Sequence, residues 1–107
     1  EEAGTYYTIT IHGDFDVNRI TAVRGAVEKA MAAEHTKIVF DLSDTTMLTS
    51  SGIGLMVNVH NRLKTSGGNA VIVGARGLVR ESLQTTKVLS IVPSYDTVED
   101  AERGTDL

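Results

Sequence analysis

Apolar and polar residues alternate from Tyr6 to His12, with Tyr7, Ile9 and Ile11 on one side and Tyr6, Thr8, Thr10 and His12 on the other. A period of two belongs to a strand with one apolar and one polar face. Gly13 stops the alternation, and Gly13-Asp14-Phe15-Asp16 reads as a turn. The period then lengthens. Ile20, Val23, Val27 and Met31 recur at helical spacing, which predicts an amphipathic helix over Asn18 to Ala33, capped by Asp16 or Asn18. The run Ile38-Val39-Phe40 within Lys37 to Leu42 has no polar face, so this segment reads as a central strand buried on both sides.

Asp41 to Ser51 is polar and without a period, and it reads as a loop. A second helix is predicted over Gly52 to Thr65, with Ile53, Met56, Val59, His60 and Leu63 along one side and Ser66-Gly67-Gly68 ending it. Ala70 to Val73 is a fully apolar strand, and Gly74 to Gly77 turns the chain into a third helix from Leu78 to about Thr86. Leu89 to Tyr95 reads as a last strand, placed at an edge because Pro93 lacks an amide donor. Val98 to Arg103 reads as a short helix and Gly104 to Leu107 as a frayed end.

The order β-α-β-α-β-α-β-α favours parallel pairing through right-handed crossovers. A one-sided first strand places helices mainly on one face near that end. The expected fold is therefore a single α/β domain over residues 1–107 with its core at about 6–103. It has a mixed, mostly parallel sheet of four to five strands and about four helices, packed mainly on one face.

Composition narrows the function more than the fold. Of 107 residues 41% are hydrophobic and 22% charged, which suits one ordered domain. The net charge of -4 comes without a basic stripe, so direct nucleic-acid binding is not expected. The absence of cysteine removes a thiol nucleophile, a disulfide framework and a cysteine-ligated zinc, and fits a reducing compartment. No apolar run is long enough to span a bilayer, and no segment reads as a signal peptide. The chain begins at Glu1 rather than a methionine, as a fragment of a longer protein would.

Little in the residue pattern points to catalysis. His12, His35 and His60 lack metal-ligand spacing and read as surface or internally satisfied side chains. Gly67-Gly68 and Gly74/Gly77 do not form a phosphate loop, and the first strand–helix junction carries only Gly13. Asp14 and Asp16, like Asp41 and Asp44, suit acid–base work or a cation, and suit turn formation and capping equally. All four fall where loops leave one end of the sheet, the usual side for ligands in open α/β sheets. An enzyme built on them has no readable nucleophile–base pair or cofactor loop.

The informative stretch is Ile38 to Leu55, where a buried strand leads through a polar loop into Ser50-Ser51-Gly52 and a helix. Ser50 suits an N-cap. The same position suits a phosphoryl group, because a helix start offers unpaired N–H groups and a positive dipole end. Phosphorylation adds about -1.5 to -2 charges there.

The pattern resembles the STAS domain of bacterial anti-sigma factor antagonists, whose hallmark is D-S-[ST]-G-[LI]-G opening a helix. Here it reads Thr49-Ser50-Ser51-Gly52-Ile53-Gly54. The family's early G-E-L-D-type turn is matched by Gly13-Asp14-Phe15-Asp16, and its later glycine-pair strand by Gly67-Gly68-Asn69-Ala70-Val71-Ile72-Val73. The resemblance runs from about Thr8 to Ala101, with one departure, Thr49 in place of the common aspartate.

The resemblance implies partner switching. An anti-sigma factor that is also a serine kinase phosphorylates the serine corresponding to Ser50, with Ser51 and Thr49 as competing acceptors. The unmodified domain binds that anti-sigma factor and frees the sigma factor; a serine phosphatase resets the modified form. Partner contacts are then expected at Asp14, Asp16, Thr49, Ser50, Ser51, Gly52 and Ile53. The resemblance further implies a cytoplasmic protein without catalytic residues, cofactor, bound metal or membrane insertion. The alternative is a STAS module that is not phosphorylated, serving a signalling scaffold, a lipid-transport complex or a transporter.

Overall fold

The computed structural model describes residues 6–104. Strands β1 (Tyr7–Thr10), β3 (Lys37–Asp41), β5 (Asn69–Val73) and β6 (Ser94–Tyr95) form one sheet in that order, with every neighbouring pair parallel. Helices α1 (Val17–Ala32), α2 (Ser50–Lys64) and α3 (Gly77–Thr85) link them. The main core lies under these three helices, where Val23, Val27, Met56, Leu63 and Leu83 meet Ile9, Ile38, Phe40, Ala70 and Ile72. The opposite face of β3 and β5 is covered by α4 (Val98–Gly104), with Ala101 packed among Tyr6, Val39, Val71 and Val73. The predicted α/β class, the central β3, the edge position of the last strand and the bias of helices to one face are all present.

Two segments read as connections contain strands. Gly13–Phe15 is β2 and Thr45–Leu48 is β4; they pair in parallel, with a register irregularity between Gly13 and Asp14. Thr45 is buried, and its hydroxyl donates to the Ile11 carbonyl at 2.7 Å, so a polar residue is satisfied inside what looked like a loop. Strands of three and four residues are too short to display a period.

The burial along β1 also differs from what the alternation predicts, although the residues keep their expected faces. Tyr7 is exposed and stacks against His35 at 4.6 Å, while Tyr6 is buried on the opposite face. The cause is α4, which gives Tyr6 an apolar surface; its hydroxyl meets Asn69 and Lys37 Nζ lies 4.9 Å from its ring. The last strand is only Ser94–Tyr95, because Val88–Ser90 forms a turn of 3-10 helix. Val88 and Val92 enter the core from that turn. The Pro93 carbonyl accepts from Ile72 N–H at 2.8 Å. Gly104 closes α4, and the rest of the expected frayed end lies outside the described residues.

The shortness of β6 leaves a gap beside β5. Ile72 and Gly74 direct their N–H groups toward β6 and its flanking carbonyls, and by alternation so does Ala70, where the strand no longer reaches. His60, buried on α2, fills that gap: Ala70 N–H donates to its Nδ1 at 3.1 Å.

Candidate functional site

The site is built where the small sheet meets the start of α2. Phe15 is fully buried at the end of β2, and its carbonyl accepts both the Thr49 amide and the Thr49 hydroxyl, each at 3.2 Å. Thr49 is the N-cap of α2, with extended backbone and no side-chain bond to the first-turn amides. The helix therefore begins two residues earlier than predicted, and the cap assigned to Ser50 falls to Thr49. Where the resembling family commonly has aspartate, this threonine donates a proton to Phe15, which a carboxylate cannot do.

Ser50 and Ser51 are the first two residues of α2, and both are exposed. Gly52 is buried against Phe15, and Ile53 is half-buried. Successive helical residues diverge by about a hundred degrees, so the two serines face different hollows. Ser50 borders a groove of about 420 Å³ between α2 and α3, whose apolar wall is Met47, Leu48, Ile53 and Leu78. Ser51 borders a second hollow of about 470 Å³ between α1 and α2, with Val17 and Arg24.

The remaining predicted residues divide by role. Asp14 is exposed on β2, and its carboxylate accepts from the Thr46 hydroxyl at 2.7 Å, tying β2 to β4. Asp16 is the N-cap of α1, accepting from Asn18 N–H at 3.0 Å; Asn18 is not the cap. Pairing of β2 with β4 thus brings Asp14, Asp16, Thr49, Ser50, Ser51, Gly52 and Ile53 to one end of the molecule. Asp41 accepts from the Ser43 amide at 3.0 Å, and Asp44 pairs with His12 at 3.0 Å. Each of the four aspartates has a local partner. Among the described residues no three acidic or histidine side chains gather as a metal would require.

Sequence reasoning missed the apolar surroundings. Val17, Met47 and Leu78 are 68%, 45% and 72% exposed, and Met47 and Leu78 flank the groove at Ser50. In the sequence they sit in a loop and at two helix starts, where no period sets them apart. No helix among the described residues is long and apolar enough to cross a membrane.

Comparison with known proteins adds a family to this geometry. The model of the STAS domain matches residues 1–101. A putative anti-sigma factor antagonist of Thermotoga maritima is 33% identical over 67 residues, 63% of this chain. That match spans 59% of the relative's own length. Among solved structures, the anti-sigma factor antagonist SpoIIAA in its unphosphorylated form superposes with a TM-score of 0.77 at 18% identity, covering all of this chain and 95% of the other. The same Bacillus protein in its phosphorylated form gives 0.66. A sulfate transporter family protein from Wolinella succinogenes gives 0.78 at 10% identity, with 98% and 87% covered. At such identities the structural likeness speaks for the fold.

Proposed function

The chain belongs to the STAS domain family, and on that premise we propose that it acts as an anti-sigma factor antagonist by partner switching, with Ser50 as the switched residue. In this reading the unmodified domain binds an anti-sigma factor that is also a serine kinase, and the sigma factor is released. Phosphorylation of Ser50 ends that binding, and a serine phosphatase restores it. The likeness to the Thermotoga maritima relative supports the choice of partner class.

The observation that carries the proposal is the division of labour at the start of α2. Thr49 holds the N-cap and bonds Phe15, so Ser50 is exposed and has no capping duty. A phosphoryl group there meets the positive end of a 15-residue helix, which accommodates an anion. Met47 and Leu78 flank that position, so new charge lands where a partner would bury apolar surface. The fold stays intact while the contact surface changes. Asp14, Asp16, Thr49, Ser51, Gly52 and Ile53 then frame the docking end.

The test is binding of a purified cognate anti-sigma factor to the unmodified protein, to Ser50→Asp and to Ser50→Ala. The expected result is tight binding by the unmodified and alanine forms, with a loss of at least tenfold, about 1.4 kcal/mol, in the aspartate form. Equal binding by all three contradicts the switch. It favours instead the STAS module that is not phosphorylated, a reading the likeness to a transporter-family protein keeps in view.

A further inference from the structure

A cleft of about 310 Å³ opens at the carboxyl ends of the main-sheet strands and shares no lining residue with the Ser50 groove. Its walls come from three connections that meet there. Ser43 follows β3, Gly74 and Ala75 follow β5, and Asp96 follows β6, and Arg76 and Arg80 complete the lining. The two loops after β3 and β5 are in close contact: a β carbon on Gly74 would lie 2.9 Å from that of Ser43, and Gly74 has φ of 75°. Gly74 is also held to β6, its N–H donating to the Tyr95 carbonyl at 3.1 Å. The floor is therefore fixed by backbone contacts.

The arginines set the chemistry. Arg62 and Arg103 are each spent on a carboxylate, Glu28 and Asp100. Arg76 and Arg80, like Arg19 and Arg24, form no ion pair with the described residues, and of these four only Arg76 and Arg80 border this cleft. Arg76 is instead oriented by donating to the Ser43 carbonyl at 3.2 Å, which leaves further guanidinium donors for a ligand. Two guanidinium groups beside one cleft suit a phosphate oxyanion, which accepts several charge-assisted bonds from planar donors. Asp96, which also lines the cleft, disfavours a bare anion and can accept from a hydroxyl group.

We propose that this cleft binds a small phosphate, free or as the head of a phosphomonoester, through Arg76 and Arg80. The proposal does not depend on Ser50 or on partner switching. It is tested by NMR titration of the whole isotope-labelled chain with inorganic phosphate and, separately, with glycerol phosphate, against sodium chloride at matched ionic strength. Saturable shifts are expected at the amides of Gly74, Ala75 and Gly77. Arg76→Gln with Arg80→Gln should weaken binding by about tenfold or more, and Asp96→Asn should tighten inorganic phosphate several-fold. Tighter binding of glycerol phosphate than of inorganic phosphate assigns the cleft to a phosphomonoester, and equal binding assigns it to the free anion. Shifts no larger than those from chloride, shifts centred on Ser50 and Ser51, or unchanged affinity in the arginine variant would overturn it.

Discussion

Gly52 and Phe15 are in such close contact that a β carbon on Gly52 would lie 2.9 Å from Cγ of the Phe15 ring and 3.0 Å from the Phe15 carbonyl oxygen. The first turn of α2 is therefore seated directly on β2, and Ser50 inherits its position from that contact. Gly52→Ala forces the helix off the strand and is expected to cost about 1–3 kcal/mol. Gly54→Ala is the control, because nothing lies within 4 Å of a β carbon there. It should gain about 0.5–1 kcal/mol from helix propensity. Urea denaturation of the two variants reads both signs.

Ser50 and Thr49 are expected to separate in the same assay. Thr49→Val removes the hydroxyl bond to Phe15 and should cost about 0.5–1.5 kcal/mol. Ser50→Asp has no bond of that kind to lose and gains a charge at the helix start, so it should change stability by no more than about 1 kcal/mol, on the favourable side. The reverse order would return the structural duty to Ser50.

His60 stands in for a missing strand. Replacing it with leucine keeps the volume buried but leaves Ala70 N–H without its acceptor, at an expected cost of about 1–3 kcal/mol. Hydrogen exchange should show the Ala70 amide losing protection more than its neighbours in β5. Unchanged protection at Ala70 would contradict the role.

The surface pair between α1 and α2 carries a pH signature. Arg62 hydrogen-bonds Glu28 at 2.8 Å and holds its carboxyl below the ordinary glutamate value. A depressed carboxylate stabilises the fold at pH above its unfolded value, and that contribution is lost as pH falls through the folded value. Arg62→Gln should therefore lower the melting temperature slightly at neutral pH. The difference should close as the solution is acidified below the ordinary glutamate range, about pH 4. Because the pair is exposed, 0.5 M salt should narrow it as well.

The long elements were legible because burial imposes a period on them. Ile20, Val23 and Val27 mark α1, and Ile38-Val39-Phe40 mark a strand with cores on both sides. The small sheet was hidden because β2 and β4 are short and joined across distant sequence. Tyr6 is buried and Tyr7 exposed, the reverse of the expected order, because α4, far along the chain, covers the face of β1 that the alternation marks as polar. The motif singled out Ser50, Ser51 and Gly52, which open α2, and capping chemistry singled out Asp16, the cap of α1. Thr49 as the cap required seeing its bond to Phe15, and Met47 and Leu78 required seeing which short elements meet at Ser50.

Whether Ser50 is the residue switched is decided by mapping the phosphorylated position. The whole chain is incubated with ATP and its cognate serine kinase, and the product is digested and mapped by mass spectrometry. One added phosphoryl group is expected, on Ser50, and none in Ser50→Ala. Full modification of Ser50→Ala at Ser51 or Thr49, or no phosphate on the protein while the kinase modifies another substrate, would contradict it.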